Sequence, residues 1–175
     1  MKYLDITYPD INNGLGCRVT LWVSGCAHHC EGCHNPEGWD YNAGKNYTQE
    51  TCDEIVRLLS LPYISGLTIS GGDPLSRSDD ALQEMFSVIA AIRAYMPADK
   101  NIWIYAGDTY EEAMRNPYKA HILSICDVMV DGQYMQPLRD ITLPFRGSTN
   151  QRILDLKKSR KCGHAVPLEM KKEHT

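Results

Sequence analysis

The sequence predicts an α/β fold built on a mainly parallel sheet. Short apolar runs of strand length alternate with longer segments whose apolar residues recur at helical spacing. The right-handed crossovers implied by that order lay successive strands side by side and parallel. Glycines and acids come after the strands, at Gly25-Cys26, Gly71-Gly72-Asp73, Ala106-Gly107 and Asp131-Gly132. In parallel sheets a ligand site lies beyond the carboxyl ends of the strands. One rim is therefore expected to collect cysteines, glycines and an acid.

The first element is Val19–Ser24, a continuous apolar strand. Thr48 caps a helix whose Cys52, Ile55, Val56 and Leu59 recur at i, i+3, i+4 and i+7. Gly66–Ser70 is a short buried strand, and a second amphipathic helix carries Leu82, Met85, Phe86, Ile89 and Ile92. Asn101–Tyr105 is a third strand, stopped by Ala106-Gly107. Short helices are expected around Tyr110–Met114 and Tyr118–Ser124, before a fourth strand at Val128–Val130. Trp22 and Trp103 lie within strands and read as core.

With 175 residues, 43% of them hydrophobic, the chain can bury one sizeable core. One domain over residues 1–156 is expected, followed by a basic, flexible tail over residues 157–175. The net charge is −4. The tail holds six basic and two acidic residues, leaving twelve basic and twenty acidic upstream. That balance gives no nucleic-acid footprint over the body. No apolar run approaches the roughly 20 residues that span a bilayer, and Met1-Lys-Tyr-Leu-Asp is not a signal peptide. Seven cysteines, odd in number and clustered, fit a disulfide framework poorly. They fit metal or redox use in a reducing cytoplasm better.

The stretch Cys26-Ala-His-His-Cys30-Glu-Gly-Cys33-His-Asn35 carries the chemistry. Four ligands close a metal site, whereas three leave a coordination position open. A cuboidal iron–sulfur cluster takes one thiolate per iron, and so compact a loop can wrap three corners. His28, His29 and His34 could ligate or hydrogen-bond. Gly25 and Gly32 permit tight turns that expose N–H groups to cluster sulfurs. A structural zinc on the three cysteines and one histidine is the competing reading, and unliganded buried thiols are a third. Gly71-Gly72 lets backbone approach a small ligand closely; alone it reads first as a plain strand-to-helix turn that Pro74 exits, and only its place on one rim with the cysteine loop favours the ligand reading. Asp131 is either a site acid or a cap. Arg146 either orients a carboxylate, meets a partner or sits in a surface turn. Cys17, Cys52 and Cys126 read as core, and Cys162 with His164 as a solvated thiol or a stray metal site.

Cys-x3-Cys-x2-Cys after a first strand resembles the signature of the radical S-adenosylmethionine superfamily. Asn13-Gly-Leu-Gly-Cys-Arg18, Val23-Ser-Gly-Cys26, Cys33-His-Asn35 and Ser70-Gly-Gly-Asp-Pro-Leu75 are similar to the glycyl-radical-enzyme activating proteins. Ile102-Trp-Ile-Tyr-Ala-Gly107, Val128-Met-Val-Asp-Gly132 and Arg146-Gly-Ser-Thr-Asn-Gln151 resemble the activating proteins of anaerobic ribonucleoside-triphosphate reductase. The match runs from about Asp10 to Ile153.

That resemblance implies a partial, open (β/α) barrel of the radical S-adenosylmethionine type. It implies one 4Fe–4S cluster on Cys26, Cys30 and Cys33, with S-adenosylmethionine chelating the fourth iron. Gly71 and Gly72 would hold its methionyl amino group, Asp73 would shape that loop, and Gly32, Cys33 and His34 would lie along the cosubstrate. The superfamily usually places an aromatic residue before the third cysteine, where this chain has Gly32; the resemblance therefore leaves open which side chain covers the adenine, with His34 one candidate. The implied activity is reductive cleavage of S-adenosylmethionine to a 5′-deoxyadenosyl radical, which takes hydrogen from a glycine Cα of the reductase. The reductase is then the protein substrate and a donor such as flavodoxin supplies the electron. No acid–base or nucleophile set is needed, and none is found. Two alternatives stand beside this reading: an activator of another glycyl-radical enzyme such as pyruvate formate-lyase, and a non-catalytic zinc-binding interaction module.

Overall fold

The computed structural model describes residues 1–170. Seven strands form one sheet: β1 (Lys2–Asp10), β2 (Cys17–Val23), β3 (Lys45–Asn46), β4 (Ile64–Gly71), β5 (Asn101–Tyr105), β6 (Val128–Asp131) and β7 (Arg152–Asp155). The helices are α1 (Gln49–Leu59), α2 (Asp79–Tyr95), α3 (Tyr110–Ala113), α4 (Pro117–Ser124) and α5 (Leu156–Cys162). The lateral order is β3-β1-β2-β4-β5-β6-β7, and the sheet stays open.

The expected parallel character holds only in the middle of the sheet. Strands β2, β4, β5 and β6 run parallel, whereas β1 is antiparallel to β2 and β3, and β7 to β6. The reason is connection length and content. A short loop joins β1 to β2, and no crossover helix lies between β6 and β7, so each pair folds back on itself.

Alternation divides the central strands between two faces. Val19, Leu21 and Val23 of β2, Leu67 and Ile69 of β4, Ile102 and Ile104 of β5 and Met129 of β6 meet the helices in the main core. Cys52, Ile55 and Leu59 of α1 and Leu82, Met85, Ile89 and Ile92 of α2 complete it. On the opposite face Trp103, Val128, Val130 and Ile153 form a smaller cluster, packed by Tyr105, Phe145, Leu168 and Met170. Thr48 caps α1 as expected, in a reciprocal arrangement with Thr51.

The segment from Lys157 departs from the expected flexible tail. It is helical through Cys162, with Asp155 as cap and Leu156 and Ser159 buried. Arg160 Nη1 donates to the carbonyls of Leu123 (2.7 Å) and Cys126 (3.0 Å), so one of its charges satisfies backbone at the end of α4. The chain then returns along β7, where Leu168 N donates to Ile153 O at 2.8 Å. Lys171–Thr175, the last part of the expected tail, lie outside the described residues. Among the described residues no helix is long and apolar enough to cross a membrane.

Candidate functional site

The four parallel strands end on one side, and the loops and turns that leave them line a single open cavity of about 1360 Å³. Cys26, Cys30 and Cys33 come from the loop after β2, Gly71, Gly72 and Asp73 from the turn after β4, and Ala106 and Gly107 from the turn after β5. Gly32 and His34 face the same space. The expected rim is thereby assembled, with one exception. Asp131 is buried away from the cavity: its Oδ2 accepts Tyr110 N at 2.7 Å, at the start of α3, and its Oδ1 accepts Arg152 Nε at 3.0 Å. It is a cap.

The cysteine loop needs unusual backbone. His29 lies at φ 46° and Gly32 at φ 68°, both left-handed, and Cys33 N closes a turn on Cys30 O at 3.1 Å. All three thiols are half-buried and unbridged. Asn35 N points at Cys33 Sγ, 3.4 Å away, supplying an N–H to that sulfur. Burial pushes the Cys26 thiol up. His29 stacks on Trp39 with centroids 4.8 Å apart, while His34 stays exposed at the mouth.

Asp73 ties three of the rim segments together. Its Oδ1 accepts Leu75 N at 2.7 Å and its Oδ2 accepts Gly107 N at 2.8 Å. His28 Nε2 stands 2.9 Å from Oδ2, without the alignment of a full hydrogen bond. Burial pushes this carboxyl up, but His28 and the amides of Gly107 and Leu75 outweigh it and hold it below the usual carboxylate range. His28 moves the opposite way: its contact with Asp73 raises its pKa.

The glycine pair is required by close backbone approach. Gly71 lies at φ 107°, and a Cβ there would stand 2.6 Å from Val23 O. Gly72 N donates to Val23 O at 2.7 Å and Asp73 N to Gly25 O at 2.8 Å. The amides of the turn therefore hold the start of the cysteine loop, and what remains for a ligand is carbonyl oxygen.

Below the rim, Arg18 is fully buried. Its Nε donates to Thr68 Oγ1 (2.6 Å), its Nη2 to Leu67 O (2.6 Å), and its guanidinium lies 5.3 Å from the Trp103 ring centroid. Burial pulls its pKa down to about 10, so it stays charged at neutral pH. Asp10 beside it accepts from Asn13 Nδ2 (2.6 Å) and Thr20 Oγ1 (2.7 Å).

Other sequence readings divide. Cys52 and Cys126 are buried, Cys17 packs against the core and Cys162 is exposed. Trp103 is core, but Trp22 is only half-buried and lines the cavity, where its Nε1 donates to Thr7 Oγ1 at 2.9 Å. Strand alternation turns it away from the helices. Arg146 lines the cavity wall and donates to Gln151 O at 2.8 Å. Sequence reading missed Trp39, Tyr105, Tyr134 and Gln136, which also line the cavity. The last two lie in a loop without periodicity, so only folding brings them to the cysteines.

The donor set fits a four-iron cluster. Cys26, Cys30 and Cys33 lie in one loop and line one cavity, and three thiols suit a cluster that takes one thiolate per iron.

Comparison with known proteins bears on the same residues. A family model described as a 4Fe–4S single cluster domain matches residues 12–154. The chain is 40% identical over 154 residues to the anaerobic ribonucleoside-triphosphate reductase-activating protein of Enterobacteria phage T4, covering 87% of this chain and 93% of that one. The protein of the same name from Escherichia coli (strain K12) is 38% identical over 153 residues, covering 86% and 96%. That of Salmonella typhi is 36% identical over 159 residues, covering 90% and 100%.

Proposed function

From the premise that this chain belongs to the anaerobic ribonucleoside-triphosphate reductase-activating proteins, with a 4Fe–4S single cluster domain, we propose that it installs a glycyl radical on such a reductase by reductive cleavage of S-adenosylmethionine. The observation that carries the reading is the meeting of three thiols and the Gly71–Gly72 turn on one cavity. Cys26, Cys30 and Cys33 would hold three irons of a 4Fe–4S cluster, leaving the fourth for the amino and carboxylate groups of S-adenosylmethionine. When bound, that pair supplies one-electron cleavage of the C5′–S bond. With an electron from a flavodoxin-type donor, the balance yields methionine, 5′-deoxyadenosine and a glycine radical on the reductase.

The protein's own part is position and exclusion of water. The free carbonyl oxygens of the Gly71–Gly72 turn suit an ammonium or amine, as a methionyl group presents. Asp73 fixes that turn against the cysteine loop through His28 and against β5 through Gly107. Trp22, Trp39, Tyr105, Val130 and Phe145 give the cavity apolar walls. Its volume of about 1360 Å³ exceeds the roughly 300–1,000 Å³ of a small-molecule pocket, leaving room for a polypeptide segment beside the cosubstrate. The open sheet is consistent with a trimmed barrel of the radical S-adenosylmethionine type, whose missing side would admit a partner's loop.

The test is to incubate the anaerobically prepared, reduced protein and S-adenosylmethionine with the reductase and, separately, with pyruvate formate-lyase. Electron paramagnetic resonance should show a glycyl radical on the reductase, with 5′-deoxyadenosine formed in step. A radical only on the lyase would reassign the partner. A colourless protein with stoichiometric zinc and no 5′-deoxyadenosine would overturn the reading.

A further inference from the structure

Gly32, directly before Cys33, is covered by a side chain from far along the sequence. A Cβ on Gly32 would stand 2.7 Å from Gln136 Cδ, so the Gln136 amide lies where a side chain at position 32 would be. The Tyr134 hydroxyl donates to Gln136 Oε1 at 2.5 Å. Both residues line the cavity that holds Cys33 and the Gly71–Gly72 turn.

Tyr134 is itself braced. Its ring lies against Gly147. Gly147 N donates to Gln151 Oε1 at 2.9 Å, and Gln151 Nε2 donates to Gly132 O at 3.0 Å. Met135 N donates to Ser148 Oγ at 3.2 Å. The Arg146–Gln151 segment thus holds the stretch after β6 in place. The phenol in turn fixes which way the Gln136 amide points; among the described residues Nε2 makes no hydrogen bond, and Oε1 keeps a second lone pair in the same amide plane.

An adjacent donor and acceptor in one plane match the edge of adenine, which offers the N6 amino hydrogens beside a ring nitrogen acceptor. We propose that Gln136, oriented by Tyr134, reads the adenine of S-adenosylmethionine and sets the base specificity of the site. The inference rests on the cosubstrate reading above and names the residue that enforces it. Gln136 Oε1 would accept from N6 and Nε2 would donate to the ring nitrogen. Hypoxanthine, with a carbonyl in place of the amino group, would set oxygen against Oε1.

Equilibrium binding tests this without turnover. The anaerobic holoprotein, cluster in place, is titrated with S-adenosylhomocysteine, which has no sulfonium to cleave, and with S-inosylhomocysteine. The wild type should prefer the adenine ligand by about 10- to 100-fold, the range a bidentate contact gives. Gln136→Leu should bring the two ligands within about twofold, with iron content and melting temperature unchanged, since Gln136 is exposed. Tyr134→Phe should keep the preference but reduce it. No base preference in the wild type, or an undiminished preference in Gln136→Leu, overturns the inference and leaves the cosubstrate reading standing. A four-iron wild-type protein that binds neither ligand overturns both.

Discussion

His28 Nε2 stands 2.9 Å from Asp73 Oδ2, so the cysteine loop and the turn after β4 share one buried carboxylate. Asp73→Ala strips the acceptor from the amides of Leu75, Ser76 and Gly107 and removes the carboxylate that His28 faces. Leaving buried donors unpaired is expensive, and we expect a loss of about 3 kcal/mol in denaturant unfolding. Iron retained per chain should fall with it, because the loop bearing Cys26 and Cys30 loses its tie. Unchanged stability and iron content in this variant would refute the role.

Two glycines separate backbone strain from collision. Gly163 ends α5 at φ 76°, and a methyl group added there would meet nothing within 4 Å among the described residues, whereas Gly71 at φ 107° faces the backbone of Val23 at 2.6 Å. Gly163→Ala should therefore cost only about 1 kcal/mol, the left-handed penalty for an L side chain. Gly71→Ala should cost about 3 kcal/mol or more, because the backbone of β2 has nowhere to yield. Thermal melts of the two variants decide it, and equal shifts would mean that the turn relaxes.

The central strands and the helices over them were legible in the sequence because periodicity records burial. Ile102 and Ile104 face the helices while Trp103 faces away, as alternation requires. Strand β1 was not legible: it is half-exposed along its length and carries Asp5, Pro9 and Asp10, so it lacks a buried stripe. Strand β7 is four residues long, and α5 buries only Leu156 and Ser159, so neither offers a pattern to count. The cysteine triad was legible as a cluster because Cys26, Cys30 and Cys33 fall within eight residues, and the fold brings them to one cavity. Gln136 over Gly32 was not, since that contact joins residues about a hundred positions apart and depends on the path of the chain after β6.

Arg18 makes a third case. Its charge is buried and, among the described residues, has no carboxylate in hydrogen-bond contact; it is held by Thr68 Oγ1 and the carbonyls of Leu15, Leu67 and Asn101. Arg18→Met keeps the stem but leaves those oxygens without their donors, and should lower stability by about 2–4 kcal/mol. Arg18→Lys should rescue little, because one ammonium cannot replace a planar fork spread over four acceptors. Full rescue by lysine would show that charge alone matters at this position.

Cys126 predicts how stability depends on alkaline pH. It is fully buried, and burial pushes its thiol from the ordinary 9.0 up to about 12. Between those values the folded chain keeps the proton and the unfolded chain releases it. The unfolded state then binds fewer protons, so stability is intact below pH 9 and falls as pH rises toward 12. At pH 10 the loss from this one group is about 1.4 kcal/mol relative to neutral pH. Cys126→Val keeps the volume and removes the proton, so its unfolding free energy should fall less between pH 8 and 10 by about that amount. The measurement is a urea titration of both proteins at each pH. Tyr105, raised by burial in the same direction, acts equally in both and cancels. Parallel pH curves for the two proteins would mean that the Cys126 thiolate reaches water in the folded state.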